Sequence, residues 1–441
     1  MKGTWRIVAL LLATAVATAA IAFVLVSVFS RQQEARLTAF RVADIPDGEP
    51  DPAVWGLNFP LQYESWHKTM TTTEFKQYSE YGRYGGSEAF QKLDKYPDYI
   101  RLFAGYPFSV DYREERGHYW ALKDMLETKR LGDTKPGSCL TCKSPQVPQI
   151  MKQIGAEQFY GSLAKDLVAK YDIKHSISCA DCHDAKTAAL VITRPAFREA
   201  MASRGIDVDK ASRQEMRSYV CAQCHVEYYF RGQNKTVVFP WAKGLSIENI
   251  EAYYDEAKFS DWTHAETKTP MIKMQHPDFE LFSSGVHARS GVACADCHMP
   301  YTRVGAAKVS SHWVNTPLAH VETSCLTCHK QSEGEMKARV RVIQDRTYSS
   351  MVHAEKALIA AIDGIKAAQQ AGVADERLAD ARTLHRRAQM RWDFISAENS
   401  MGFHSPQEAV RILGDATDYA RQAELAAYKA LIEKQGRPAG Q

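Results

Sequence analysis

The chain has 441 residues, 45% of them apolar and 24% charged, the balance of an ordinary globular protein long enough for two or three domains. Its 55 basic and 52 acidic side chains leave a formal net charge of +3, which gives no electrostatic case for nucleic-acid binding and identifies no other partner.

The amino terminus is the first segment with a clear pattern. Ile7 to Phe29 is free of charge, with Lys2 and Arg6 before it and Arg31 after it. At about 1.5 Å per residue such a helix spans roughly 34 Å, against a hydrocarbon core of about 30 Å. Signal-peptide apolar regions are shorter, so residues 1–30 read as a signal anchor, although the Ala-rich stretch Ala13–Ala20 leaves room for cleavage. In either case the rest of the chain is exported, and the expected location is periplasmic, held to the inner membrane by residues 7–29.

Residues 31 to about 135 are rich in aromatics, with turn signals at Tyr84-Gly85-Gly86 and Gly105-Tyr106-Pro107, and predict loops and short helices. All ten cysteines follow, in five C-x-x-C pairs: Cys139/Cys142, Cys179/Cys182, Cys221/Cys224, Cys294/Cys297 and Cys325/Cys328. Four pairs are followed at once by histidine: His183, His225, His298 and His329. C-x-x-C-H is the attachment signature of haem c, in which two thiols bond the porphyrin vinyl groups and the adjacent imidazole takes one axial face of the iron. Disulfides give no reason for the histidines, and zinc ribbons use pairs of pairs rather than an odd number.

The first pair breaks the rule, since Cys139-Leu-Thr-Cys142 is followed by Lys143. An amine binds a metal only when neutral, so the site is expected to lower the Lys143 pKa. The bland alternative is a drifted motif with a surface lysine. An iron with a single unusual ligand is the natural place for a substrate, whereas a bis-histidine iron has no open position and only passes electrons.

Beyond Lys330 the texture becomes helical, with three apolar stripes: positions 351, 358, 362 and 365; Leu378, Ala381, Leu384, Ala388, Trp392 and Ile395; and Ala409, Leu413, Ala416, Ala420, Ala423 and Ala427. Ser405, Pro406 and Glu408 predict an N-cap, a first-turn proline and a capping box for the third helix. The alanine-rich stripe permits close helix approach, within the subunit or across a dimer. The expected fold is mainly α: a multihaem cytochrome c core with few strands over residues 31–330, then long carboxy-terminal helices over 331–441 suited to dimerisation.

A lysine-ligated motif followed by four histidine motifs resembles the pentahaem, ammonia-forming cytochrome c nitrite reductases. The resemblance runs from Gly105-Tyr106-Pro107-Phe108 to the last helix and includes Cys221-Ala-Gln-Cys-His-Val-Glu-Tyr-Tyr-Phe230 and Lys273-Met-Gln-His-Pro277. It implies five covalent haems c and six-electron reduction of nitrite to ammonium at the Lys143 haem, with Arg130, Tyr228 and His276 around its open face. Without it, Arg130 reads as a surface charge, Tyr228 as a core aromatic and His276 as a distal iron ligand. The resemblance further implies one calcium ion on Glu227 and Gln275 side chains and the Tyr228 and Lys273 carbonyls. It assigns distal histidines: His312 for the second haem, His118 for the third, His404 for the fourth and His287 for the fifth. Expected partners are a homodimer mate and a membrane quinol-oxidising or soluble cytochrome as electron donor. Two rivals stay open at this point, a non-catalytic five-haem wire and a sulfite reductase.

Overall fold

The computed structural model describes residues 2–38, 41–71, 90–305 and 307–436. The turn signal at Tyr84-Gly85-Gly86 lies outside them. Helix α1, Lys2–Thr38, contains the apolar stretch Thr4–Gln33, none of it buried against the rest of the chain and long enough to cross a membrane.

Between residue 41 and Ser332 the described residues form short helices, 3-10 turns and three two-stranded antiparallel hairpins. The first pairs β1, Tyr229–Arg231, with β2, Thr236–Val238. The second pairs β3, Trp262–Thr263, with β4, Pro270–Met271, and the third pairs β5, Tyr301–Val304, with β6, Ala307–Ser310. Each hairpin delivers residues singled out in the sequence: Glu227 and Tyr228 precede β1, Lys273 to His276 follow β4, and His312 follows β6.

Three long helices close the chain: α2, Glu333–Gln370; α3, Ala379–Ala397; and α4, Pro406–Gln435. Helix α4 lies along both α2 and α3, and its Ala409, Leu413, Ala416, Ala420, Ala423 and Ala427 have no exposed surface. Small side chains let the backbones approach: a Cβ on Gly364 of α2 would sit 3.6 Å from that of Ala427. Leu384 alone departs from the second stripe, being half-buried.

One apolar cluster joins Met351, Leu358 and Ile362 of α2, Trp392 and Ile395 of α3 and Leu413 of α4 to Tyr99, Phe103, Ile250 and Trp262 of the preceding body. Tyr99 stands edge-on to Trp392 at 4.9 Å and shares a hydrogen bond of 2.9 Å with Ser396. A second cluster, with Leu140, Val147, Phe159, Phe197, Val226 and Trp241, surrounds the first three cysteine motifs.

Helix starts follow local chemistry. Ser332 and Glu335 form a capping box at α2, as do Ser212 and Glu215 at the helix leading into the third motif. The box expected at α4 is not formed. Ser405 occupies the N-cap position and Pro406 the first turn, but the Ser405 side chain makes no capping bond and Glu408 turns to Arg411, at 2.6 and 2.9 Å. The ion pair with a full cation outcompetes the bond to a neutral N–H.

Candidate active site

All five cysteine motifs open onto one cavity of about 1940 Å3. Its lining holds every cysteine, Lys143, the four motif histidines, and also His118, His276, His287, His312 and His404. None of the cysteines forms a disulfide, which removes the staple reading.

The motifs are pinned by their own inner residues. Cys-Ala-Asp-Cys-His occurs at residues 179–183 and 294–298, each time as one helical turn. The aspartate in each accepts the N–H ahead of the turn, Ser178 to Asp181 and Ala293 to Asp296, both at 2.8 Å. Fully buried Arg194 pairs with Asp181 and donates to the carbonyls of Thr141 at 2.6 Å and Ser144 at 3.1 Å, which ties the second motif to the first. Gln223 inside the third motif accepts the Arg194 N–H at 3.2 Å and donates to the Asp181 carbonyl at 2.9 Å. Three attachment sites thus share one buried knot.

The structure brings each motif histidine against the distal partner assigned to it. Ring centroids lie 6.1 Å apart for His183 and His312, 6.2 Å for His329 and His287, and 6.3 Å for both His225 with His118 and His298 with His404. An imidazole nitrogen sits about 2 Å from a bound metal and about 1.1 Å from its ring centre, so two rings sharing one metal from opposite sides would be centred about 6.2 Å apart. Ring orientation agrees with this. Nδ1 lies 2.8 Å from the Ala188 carbonyl in His183, 2.9 Å from that of Asn315 in His298 and 2.9 Å from that of Ser310 in His312. A carbonyl only accepts, so Nδ1 carries the proton and Nε2 keeps its lone pair for a metal. The donor set fits four bis-histidine haems. His67, His175, His264, His320, His353 and His385 are absent from this lining, and His264 and His385 pack on each other at 5.3 Å. At Gly285 a Cβ would meet the His404 carbonyl at 2.1 Å, so only glycine lets the segment carrying His287 approach that carrying His404.

Lys143 stands apart from these pairs. Its amine lies 2.7 Å from both carboxylate oxygens of Glu115, which stands three positions before His118 and belongs to no motif that would mark it in the sequence. Burial alone would lower the amine's pKa, but Glu115 outweighs it and raises the value. The lowering expected of a metal-bound amine is a separate effect, one that the polypeptide alone does not supply. The polypeptide favours an ammonium, and its proton leaves only as a metal takes the nitrogen. Burial is likewise outweighed at Glu115, where Lys143, His276 and Arg130 hold the carboxyl at about 2.

Arg130, Tyr228 and His276 line the same cavity. The Arg130 guanidinium lies 4.2 Å from the centre of the Phe108 ring, and its Nε donates to Thr128 Oγ1 at 3.2 Å. Burial keeps the Tyr228 phenol protonated, far above its ordinary range. The His276 imidazole is pushed down to about 4, chiefly by burial, with Glu115 opposing and Lys143 assisting. It rests neutral.

The loop carrying Arg130 is anchored by fully buried Asp111, which accepts from Lys129 N at 2.6 Å, Thr128 Oγ1 at 2.8 Å and Gln91 Nε2 at 2.7 Å. Burial would raise the Asp111 pKa, but these bonds and that from Arg113 outweigh it and bring the group to about 2. A depressed folded value means stability that is present above the ordinary 3.8 and is lost as pH falls through about 2. Asp111→Asn will therefore flatten that stretch of the acid-unfolding curve, followed by tryptophan fluorescence.

Behind His276 lies a cluster of buried oxygens. Glu227, with no exposed surface, accepts the Tyr254 hydroxyl at 2.6 Å and the Gln275 N–H at 2.6 Å, and Gln275 Nε2 donates to the Lys273 carbonyl at 3.2 Å. Glu280 accepts the Glu227 N–H at 2.8 Å and the Trp241 indole at 2.7 Å, and its other oxygen has no hydrogen-bond partner among the described residues. Burial pushes Glu227 well above the carboxylate range, Asp261 up to about 7 and Glu280 up to about 8. The nearby Lys273 ammonium is already paired with Asp393 at 2.9 Å and lies among the Phe103, Phe108 and Tyr112 rings. Excess buried carboxylate with amide and carbonyl oxygens at hand suits a hard divalent cation.

The family model described as cytochrome c552 matches residues 51–439. A cytochrome c-552 of Bacteroides fragilis is 44% identical over 430 residues, covering 94% of this chain and 85% of that protein. A cytochrome c-552 of Porphyromonas gingivalis is 42% identical, covering 83% of this chain and 74% of its own length. Among solved structures, the catalytic subunit of cytochrome c nitrite reductase from Desulfovibrio desulfuricans, described with two calcium sites, superposes with a TM-score of 0.80 at 32% identity over 88% of both chains.

Proposed function

The chain belongs to the cytochrome c552 family, and from that premise we propose that it is a pentahaem enzyme that reduces nitrite to ammonium. The observation that carries this reading is the contrast within one cavity: four histidine pairs at 6.1 to 6.3 Å at four motifs and a lysine in place of histidine at the fifth, with Arg130, Tyr228 and His276 in the same lining.

The five cysteine pairs would hold haem c, which would supply electrons one at a time and, at the Lys143 site, a metal to take up nitrite. Lys143 would be the ligand there, with His183, His225, His298 and His329 as motif ligands elsewhere and His312, His118, His404 and His287 as their partners. Arg130 draws the anion in and donates to its oxygens, a task for which a permanent charge on a planar fork is suited. Tyr228, kept as a phenol, donates a further hydrogen bond. His276 rests neutral, so it first takes a proton from outside and then, as an imidazolium, passes it to a departing oxygen and returns to the neutral form. Glu227 and Gln275 side chains with the Tyr228 and Lys273 carbonyls would hold one calcium ion, fixing the neighbours Tyr228 and His276. Removing calcium with a chelator will lower nitrite turnover at least about tenfold, within the usual effect of losing groups that orient a site, with haem content unchanged. Recovery on adding calcium back checks the cause.

Residues 31–330 form the catalytic part and 331–441 a helical part suited to dimer formation, since the outer side of α4 leaves Leu425 and Ile432 about two-thirds exposed, at 68% and 66%. Helix α1 anchors the chain to the inner membrane with the remainder in the periplasm, within reach of a quinol-oxidising or soluble cytochrome. The deciding experiment is electron paramagnetic resonance of the oxidised enzyme. One high-spin haem that shifts on adding nitrite is expected; five low-spin haems indifferent to nitrite would leave only a wire. Turnover with sulfite in place of nitrite tests the remaining rival.

A further inference from the structure

The imidazoles paired across the cavity do not share one kind of Nδ1 partner. His183, His298 and His312 face neutral backbone carbonyls. His225 and His404 face carboxylates instead: Asp278 Oδ2 lies 3.0 Å from His225 Nδ1, and Glu398 Oε1 lies 2.5 Å from His404 Nδ1, close but off the line of an ideal hydrogen bond. Both carboxylates are buried. Each is also gripped by N–H donors. Asp278 accepts Asn399 N and Asn399 Nδ2, both at 2.8 Å, and Glu398 accepts Ser400 N at 3.0 Å and Gly402 N at 3.2 Å. Asp278, Glu398 and His404 lie near enough to clasp a cation, within 4.8 Å, but every carboxylate oxygen is already engaged.

A carboxylate beside Nδ1–H draws the proton towards itself and makes the ring a stronger donor through Nε2. Stronger donation and a nearby buried negative charge both favour oxidised iron, so they lower the reduction potential. A neutral carbonyl does less. The placement matters because Asp278 follows His276 by two residues, and His118, opposite His225, feels the charges of both His225 and Lys143. The third haem is therefore the neighbour of the Lys143 site.

We propose that Asp278 and Glu398 are positioning residues that depress the potentials of the third and fourth haems, Asp278 through His225 and Glu398 through His404. Both haems then lie below the second, whose two imidazoles face only carbonyls, and electrons reach the Lys143 site from low-potential neighbours. The inference rests on the haem assignment above.

Potentiometric titration of the holoenzyme, followed through its low-spin paramagnetic resonance signals, tests it. In Asp278→Asn one low-spin signal should titrate at higher potential, and in Glu398→Gln a different one, with Asp278→Glu and Glu398→Asp returning towards the unmodified values. Unmoved potentials in variants that retain five haems would overturn the proposal alone. Should an amide variant fail to mature, the unmodified enzyme decides: at least two low-spin signals must titrate below the highest one, and a shared midpoint for all four would overturn it equally. Fewer than five haems in the unmodified enzyme would instead remove the ligand assignment on which the proposal stands.

Discussion

Arg130→Ala will cut kcat/KM for nitrite by about 100-fold or more while all five haems stay in place. Losing one donor aimed at developing charge costs on the order of 100- to 1000-fold, and here the donor is also the cation that attracts the anion. The loss is catalytic and not structural, because the loop is held by Asp111 through Lys129 N and Thr128, neither of which needs the guanidinium. Arg130→Lys should recover part of the rate, since it keeps the charge but loses the planar fork that rests on Phe108. Haem content by the pyridine assay and nitrite consumption with a reduced dye, measured on the same samples, check this. Full turnover in Arg130→Ala would remove the residue from the site.

Asp393→Ala will destabilise the folded protein by about 3–5 kcal/mol, the usual cost of leaving one partner of a buried ion pair uncompensated. Lys273 and Asp393 are both essentially unexposed, at 1% and 0%, and the carboxylate also accepts the Met274 N–H at 2.8 Å. Its loss strands an ammonium among aromatic rings and frees the segment that leads to Gln275 and His276. Activity should therefore fall with stability. Replacing both partners by apolar residues, as in Lys273→Met with Asp393→Leu, should restore much of the stability, because no bare charge then remains. Denaturant unfolding of the holoenzyme measures both; an Asp393→Ala midpoint equal to the unmodified one would contradict the account.

The parts of this protein that were readable in its letters are those where one short stretch performs a whole act. Cys-x-x-Cys-His is such a stretch, and so are the helical stripes of the carboxy-terminal third, whose spacing alone places Leu358, Trp392 and Ala416 inside. The capping box at Ser405 was legible as a pattern but not as an outcome, because Arg411 competes for Glu408 from one turn away. What escaped the sequence are contacts between segments far apart in the chain. Lys273 meets Asp393 across 120 positions, and Glu398 and Asp278 face histidines of two different pairs. Glu115 is hidden for another reason: a lysine that serves as a metal ligand calls for no counter-charge, and nothing in the sequence ties Lys143 to a carboxylate 28 positions away. Phe108 carries no chemistry of its own. Only the fold shows that Arg130, at 4.2 Å, and Lys273, at 4.9 Å, both rest on its ring.

The most direct test of the account is product stoichiometry. Purified holoenzyme given nitrite and a reduced viologen should yield one ammonium for each nitrite, with six viologen radicals oxidised and no free nitric oxide or hydroxylamine accumulating. Viologen oxidation that stops short of ammonium, or no oxidation by a protein shown to carry five haems, would contradict it.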